Sequence, residues 1–280
     1  MSTHTILVSL NEIGRLKEVT AAAAALGRAL DAHVSGLYVI PAVQVYPSVG
    51  FEAAPQVFEG NRTYFKENAG KVREAFEEAM KREGLSFDIQ TVDAKTPLIA
   101  DDVIIHGRSA DLILASATNP DEVTGVERDF VEQVILGVGR PVIILPTKGE
   151  AGLSLDEVVM GWDGGREAAR AAFDALPVLK AAKKVRVVRA DPQKDPALRG
   201  SVPGADLAET LARHGVRAET QGYPTEGFDA GQALLRCADD CNAGLIVMGA
   251  YGHSRLAEFI FGGATRFVLQ RHNRPVLMSH

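Results

Sequence analysis

Val158-Val159-Met160-Gly161-Trp162-Asp163, just past the middle of the chain, and Ile6-Leu7-Val8-Ser9-Leu10-Asn11, near its start, are the same kind of segment, a short apolar run ending at a polar residue. An Ala-rich stretch of helical length follows each, Arg166 to Leu179 in one and Glu18 to Leu30 in the other. Second apolar runs come next, Val185 to Val188 and Val34 to Ile40. Ala243-Gly244-Leu245-Ile246-Val247-Met248 then answers Ala110-Asp111-Leu112-Ile113-Leu114-Ala115, and Arg274-Pro275-Val276-Leu277-Met278-Ser279 answers Arg140-Pro141-Val142-Ile143-Ile144-Leu145. The offset is 133 from Ala110 to Ala243 and 134 from Arg140 to Arg274, so the register barely slips. An ordered match at five places marks a duplicated chain whose period is that of a domain rather than a solenoid repeat.

Within each half, short apolar runs alternate with helix-length segments. Strands that are apolar throughout suit a parallel sheet buried on both faces, and helical crossovers between them give a doubly wound α/β layer structure. Strands are expected near 4–10, 34–40, 86–92, 111–115 and 141–145, then near 156–161, 184–190, 216–221, 244–248 and 275–279. The expectation is two similar α/β domains, each a five-stranded parallel, Rossmann-like sheet, over residues 1–147 and 153–280. The Pro/Gly/charge segment Pro146 to Gly152 would link them. One region breaks the symmetry: Pro41 to Phe58, with three prolines, precedes an expected helix from about Glu59 to Glu83. That helix has one apolar stripe of Phe65, Ala69, Val72, Phe76, Ala79 and Met80. The segment before it reads as a surface loop, with a lid or partner surface as the other reading.

The 280 residues are 46% hydrophobic and 24% charged, with a formal net charge of −6, which argues against a general binder of nucleic acid or anionic membranes. Charge or glycine interrupts every apolar stretch well short of the ~20 residues that span a bilayer. Met1 to Val8 has no basic leader, and two cysteines make no disulfide framework, so a cytoplasmic protein is expected. The halves differ in charge: residues 1–150 carry 14 Lys+Arg against 21 Asp+Glu, residues 151–280 carry 16 against 15.

The most informative stretch is Met248-Gly249-Ala250-Tyr251-Gly252-His253-Ser254-Arg255, continued after Phe261 by Gly262-Gly263-Ala264-Thr265-Arg266. It follows an expected strand and ends where a helix should begin. Ligands of open α/β sheets sit at the carboxyl ends of strands. Two glycines at a helix start leave backbone N–H groups and the positive end of the helix dipole open to phosphate. Thr265 adds a hydroxyl, and the missing Cβ atoms at Gly249 and Gly252 let the loop approach a ligand. Simple turns and caps are the plainer reading of the same glycines.

Gly249-x2-Gly252-x9-Gly262, set after a fourth strand and before a terminal Arg-Pro-Val strand, resembles the nucleotide-binding signature of the universal stress protein (UspA-like) family. The likeness covers nearly the whole chain as two consecutive domains. It implies a five-stranded parallel sheet with helices on both faces in each domain, and a site for an adenine nucleotide, ATP with Mg2+, in the second. Carried over by residue, the resemblance puts Trp162 and Asp163 beside adenosine and the backbone of Ala190 against adenine. Met248, Gly249, Gly252, Gly262, Gly263, Ala264 and Thr265 fall on the phosphate segment, with His253 and Arg255 adding charge. One position departs: Gly263 stands where the family's binders have Ser or Thr, removing a hydroxyl hydrogen bond of about 0.5–1.5 kcal/mol net.

The first half lacks the pattern. Ser116 stands for Gly249, Asn119 for Gly252, Arg128-Asp129 for Gly262-Gly263, and Asn11 for Asp163, while Asp121, Glu122, Glu127 and Asp129 would repel phosphate. At most one conventional nucleotide site is expected. Phosphate-loop, Gly-x-Gly-x-x-Gly and nucleophile-elbow motifs are all missing, and no general base or arginine finger can be named, so at most a slow ATPase is expected. Cys237 and Cys241 lie four apart on an expected helix without a histidine at helical spacing, which suits core cysteines better than metal ligands. The last strands, Val142–Leu145 and Val276–Ser279, are apolar edges that need cover. Pairing with each other would make an intramolecular pseudo-dimer, with a homodimer as a further option. The expected role is a stress-response regulator or protector that binds an adenine nucleotide. The other reading is a nucleotide-free scaffold acting through the first domain.

Overall fold

The computed structural model describes residues 3–43, 54–119, 121, 124–148, 152–190, 204–225, 229–252 and 263–280. The core of the Pro41–Phe58 segment, residues 44–53, lies outside them. Contacts divide the chain into two compact bodies, one from Thr3 to Val138 and one from Gly139 to His280.

The first body runs β1 (Thr5–Ser9), a single 3-10 turn (Ile13–Arg15), α1 (Leu16–Leu30), β2 (His33–Ile40), α2 (Ala54–Arg82), β3 (Phe87–Asp93), α3 (Ile99–Gly107), β4 (Leu112–Ser116) and α4 (Phe130–Val138). Its strands lie in the order β3-β2-β1-β4. All neighbours are parallel, with Ile6 opposite Val34 on one side and Leu112 on the other. The second body holds β5 (Val142–Leu145), β6 (Glu157–Gly161), α5 (Arg166–Asp174), α6 (Leu176–Ala181), β7 (Lys184–Ala190), α7 (Ala205–Arg213), β8 (Ala218–Tyr223), α8 (Ala230–Asp240), β9 (Leu245–Gly249), α9 (Gly263–Arg271) and β10 (Val276–Ser279). Here β6 to β10 are parallel in the order β8-β7-β6-β9-β10.

The α/β fold with parallel strands is therefore as the sequence predicts. Val158, Val159 and Met160 in β6 and Leu245, Ile246 and Val247 in β9 are all 0% exposed. Covered faces of this kind are what helical crossovers on a parallel sheet produce, and they explain the unbroken apolar runs. The edge strands β3 and β8 are half-buried and carry polar residues, which discourages further pairing.

One detail differs from the expectation. The Ala-rich stretch after β6 is two helices, not one, with the break between Asp174 and Leu176. Pro177 causes it: proline has no N–H to give to the carbonyl of Phe173, and its ring crowds that carbonyl. The fifth strand of the first repeat, β5, pairs with the last strand of the second, as the two apolar edges lead one to expect. It packs in the second body, antiparallel to β10, with Ile144 opposite Val276, Ile143 opposite Leu277 and Val142 opposite Met278. The two last strands thus cover each other, as their apolar sequences require. Among the described residues, no helix is long and apolar enough to cross a membrane.

Ile143 and Leu277 face each other across this pairing and are both fully buried. Leu277→Ala should therefore lower the stability of the chain by about 2–5 kcal/mol, read from urea unfolding. A double-mutant cycle with Ile143→Ala should show coupling beyond about 0.5 kcal/mol. Additive losses would mean that the pair does not pack as described.

Candidate functional site

In the second body the strand order reverses between β6 and β9, the place where an open α/β sheet leaves a crevice beyond its strand ends. A cavity of about 270 Å³ lies there. Its floor is apolar, made by Val188, Leu234 and Met248 with Gly161 and Ala168. Three helices start around it, α5, α8 and α9, each contributing residues of its first turns to the wall.

Trp162 and Asp163 continue β6 into this cavity. The backbone N–H of Trp162 donates to the Val188 carbonyl at 2.8 Å, which extends the ladder one residue past the strand. Asp163 Oδ1 accepts the Gly165 N–H at 2.7 Å, so this carboxylate also closes the turn into α5. Gly164 between them has φ of +79°, a conformation for which glycine is suited. At the end of β7, Ala190 lines the cavity beside Arg189, whose guanidinium donates to the Asp163 carbonyl at 3.1 Å.

The glycine segment has more than one physical role. A Cβ on Gly249 would lie 2.4 Å from the carbonyl carbon of Glu167 and 2.5 Å from the Ala168 nitrogen. This glycine lets the first turn of α5 rest directly on the end of β9. Gly231 does the same for α8, since its Cβ would come within 2.8 Å of the Ala264 carbonyl oxygen at the start of α9. Gly263, in contrast, has open space where a Cβ would be. Thr265 is buried, and its Oγ1 accepts the Tyr251 N–H at 3.1 Å. That bond ties the turn after β9 to α9 and supports Tyr251 in its left-handed conformation, with φ of +59°.

Of the site residues expected from sequence, Trp162, Asp163, Ala190, Met248, Gly249, Gly252, Gly263, Ala264 and Thr265 all line this one cavity. His253, Arg255 and Gly262 lie outside the described residues. Sequence reasoning missed Glu167, Arg189 and Gly231 on the same wall. The available signals were the helix turn that follows Asp163, the strand residue next to Ala190, and a glycine inside an otherwise good helix. Cys237, one turn past Leu234 in α8, is buried, and burial pushes its thiol up to about 12, as befits a core cysteine.

The corresponding region of the first body is filled by its own side chains. Asn11 is 1% exposed and grips Val39 from both sides, donating to its carbonyl at 2.7 Å and accepting its N–H at 3.1 Å. Glu12, also buried, accepts the Thr124 hydroxyl at 3.2 Å. Phe65 and Asn61 of α2 press on Gly125, where a Cβ would lie 2.9 Å from the Phe65 ring and 2.0 Å from the Asn61 side-chain oxygen. The Tyr38 hydroxyl donates to the Phe65 carbonyl at 2.7 Å. Glu127 places its carboxylate on the start of α3, accepting the Ile99 N–H. Burial raises the Glu127 pKa, against the opposing effect of its backbone hydrogen bonds.

Comparison with known proteins agrees with this picture. The model of the universal stress protein family matches residues 154–280. A universal stress protein of Synechocystis sp., Slr1230, is 25% identical over 152 residues, which are 52% of this chain and 49% of that protein, so the chain matches only about half the length of this relative. Among solved structures, a universal stress protein from Archaeoglobus fulgidus covers 100% of this chain with 99% of its own, at 17% identity and a TM-score of 0.69. A protein of unknown function from Pseudomonas aeruginosa covers 99% of this chain with 92% of its own, at 14% identity and a TM-score of 0.60. A universal stress protein from Archaeoglobus fulgidus in complex with dAMP covers 51% of this chain at 16% identity and a TM-score of 0.36. Residues 154–280 thus match the universal stress protein family, and the chain as a whole shares the fold of the first of these Archaeoglobus fulgidus proteins along its full length.

Gly249→Ala should destabilise by about 1–3 kcal/mol, because its methyl meets backbone rather than a movable side chain, while Gly263→Ala should stay within about 0.5 kcal/mol of wild type. Equal effects in thermal unfolding would contradict the distinct roles assigned to these glycines. For Glu127, a folded-state pKa above the unfolded one means that the folded chain binds the proton more readily. Its ionised form therefore costs stability at neutral pH, and that cost fades as pH falls through the folded pKa towards about 4.5. Glu127→Gln, which can still accept the Ile99 N–H, should gain stability relative to wild type at pH 7–8. The gain should shrink towards pH 4.5, and an advantage that grows on acidification would reverse the sign.

Proposed function

We propose that this tandem universal stress protein binds an adenine nucleotide in the cavity beyond β6 and β9, and that binding serves a regulatory or protective role in the stress response. The observation that carries the reading is the joint position of Asp163, Ala190, Gly252 and Gly263 around one cavity at the reversal of strand order. An adenine ring suits the apolar floor of Val188, Leu234 and Met248. Polar edges of the base would meet backbone at Ala190, and the ribose hydroxyls would meet Asp163. A phosphate would take the N–H groups at the start of α9, where Gly263 leaves room for it and the helix dipole favours negative charge.

The resemblance read from the sequence makes ATP with Mg2+ one candidate ligand. The chemistry common to all candidates is adenosine with at least one phosphate. An oxygen donor that suits a magnesium ion arriving with a triphosphate is present in Asp163. The first body enters this function differently, because its equivalent region is occupied by Phe65, Asn61 and the two carboxylates Glu12 and Glu127.

Calorimetric titration of the full chain with AMP, and with ATP plus Mg2+, tests the reading beside a Gly263→Asp variant. Wild type should bind one equivalent of adenine nucleotide per chain. The variant should lose at least about tenfold in affinity, because its carboxylate sits where the phosphate would, while its melting temperature stays level or rises as an acidic residue meets the helix start. No heat and no thermal shift at millimolar nucleotide would remove the proposal and leave a scaffold role for the chain.

A further inference from the structure

Among the described residues, the cavity wall carries two carboxylates, Asp163 and Glu167, and one cation, Arg189. Glu167, in the first turn of α5, has a side chain only 13% exposed. Its Oε2 lies 2.9 Å from where a Cβ on Gly252 would be, so the carboxylate rests against the turn that follows β9. Its ion-pair partner, Arg166, reaches Oε1 at 3.2 Å from a side chain that is 74% exposed and forms no part of the cavity wall. Asp163 adds a second carboxylate to the same cavity, and Arg189 is the one cation among the described lining residues.

The helix starts around the cavity are already shared out. The start of α5 has the Asp163 carboxylate on the Gly165 N–H, and the start of α8 has Asp229 on the Gln232 N–H at 2.8 Å. At the start of α9, Gly263 faces open space. The attraction of a helix end for an anion falls off within its first turn, so the start of α9 serves the phosphate nearest to it. A phosphate added beyond that one would bring further negative charge against Glu167 inside a partly dehydrated pocket, where like charges a few ångströms apart repel far more than in bulk water. The cavity volume of about 270 Å³ also falls just below the usual ligand-pocket range of roughly 300–1,000 Å³.

We propose that Glu167 sets the charge class of the ligand, so that the cavity accepts a nucleoside carrying one phosphate and turns away di- and triphosphates. This rests on the adenine-nucleotide reading of the cavity and narrows it. Glu167 acts as a specificity-determining residue: it makes no contact that a nucleoside needs, and it penalises each phosphate added beyond the first.

The test is calorimetric titration of the full chain with adenosine, AMP, ADP and ATP, first in EDTA and then in excess Mg2+, for wild type, Glu167→Gln and Arg166→Gln. Wild type should bind AMP more tightly than ATP in both buffers. Glu167→Gln should raise the affinity for ATP relative to adenosine by about tenfold, the removal of one nearby like charge. Arg166→Gln, which strips the carboxylate of its outer partner, should move the same ratio in the opposite direction and supplies a second reading if the first variant folds poorly. Adenosine binding with ATP ranked above AMP, or an unchanged ratio in Glu167→Gln, overturns this proposal alone. So does ATP binding that Mg2+ strengthens only when Glu167 is present, since the carboxylate would then be holding a metal. Failure of adenosine and every nucleotide to bind wild type overturns the adenine-nucleotide reading together with it.

Discussion

The contact on which the second body's crevice depends is that of backbone on backbone between the first turn of α5 and the end of β9, at Gly249. A parallel sheet forces every connecting helix to begin at the same edge, the one where its strands end, so several positive helix starts gather there. Whether they surround a ligand or one another depends on how closely each can approach the strand ends. At Gly249 the approach is as close as a chain without a Cβ permits, with a methyl there falling 2.4 Å from backbone. The start of α9 is held by Thr265 through Tyr251, and the start of α8 crosses it at Gly231. The remaining space is a cavity with an apolar floor and polar walls.

The first repeat has the same strand order and a different outcome. Its position equivalent to Gly249 is Ser116, whose side chain is buried at the end of β4. The chain after β1 makes a 3-10 turn before α1 begins, in place of the direct entry into α5. Space that the second body leaves open is taken by the ring of Phe65 and by hydrogen-bonded Asn11, Glu12 and Glu127. One duplicated framework therefore carries an open crevice in one copy and a packed one in the other. A few residues at the strand ends decide between them.

Much of this was legible in the sequence because the physics involved is local or periodic. Buried parallel strands must be apolar on both sides, so runs such as Val158–Met160 and Leu245–Val247 announce themselves, and the repeat fixes their order. The pairing of Val142–Leu145 with Val276–Ser279 follows from two apolar edges that need cover, and it is observed as an antiparallel pair. Pro177 also carried a readable signal, a helix break, that the Ala-rich composition around it concealed. What could not be read is which polar side chains turn inward at a strand end. Glu167 and Arg189 have the sequence context of ordinary surface residues, and only the meeting of β6, β7, β9 and their helices puts them on one wall. The spacing of Gly249 points to ligand approach, and it does line the cavity. The packing shows a helix against it, a constraint between residues far apart in the chain that spacing alone does not encode.

Backbone amide shifts of the isotope-labelled chain during titration with AMP test the central claim most directly, because the account assigns the phosphate to named N–H groups. Saturation should move the resonances of Gly263, Ala264 and Thr265 most strongly, with Gly231 and Ala190 following and Gly125 and Ile99 of the first body unmoved. Shifts concentrated in the first body, or none at millimolar AMP, would contradict it.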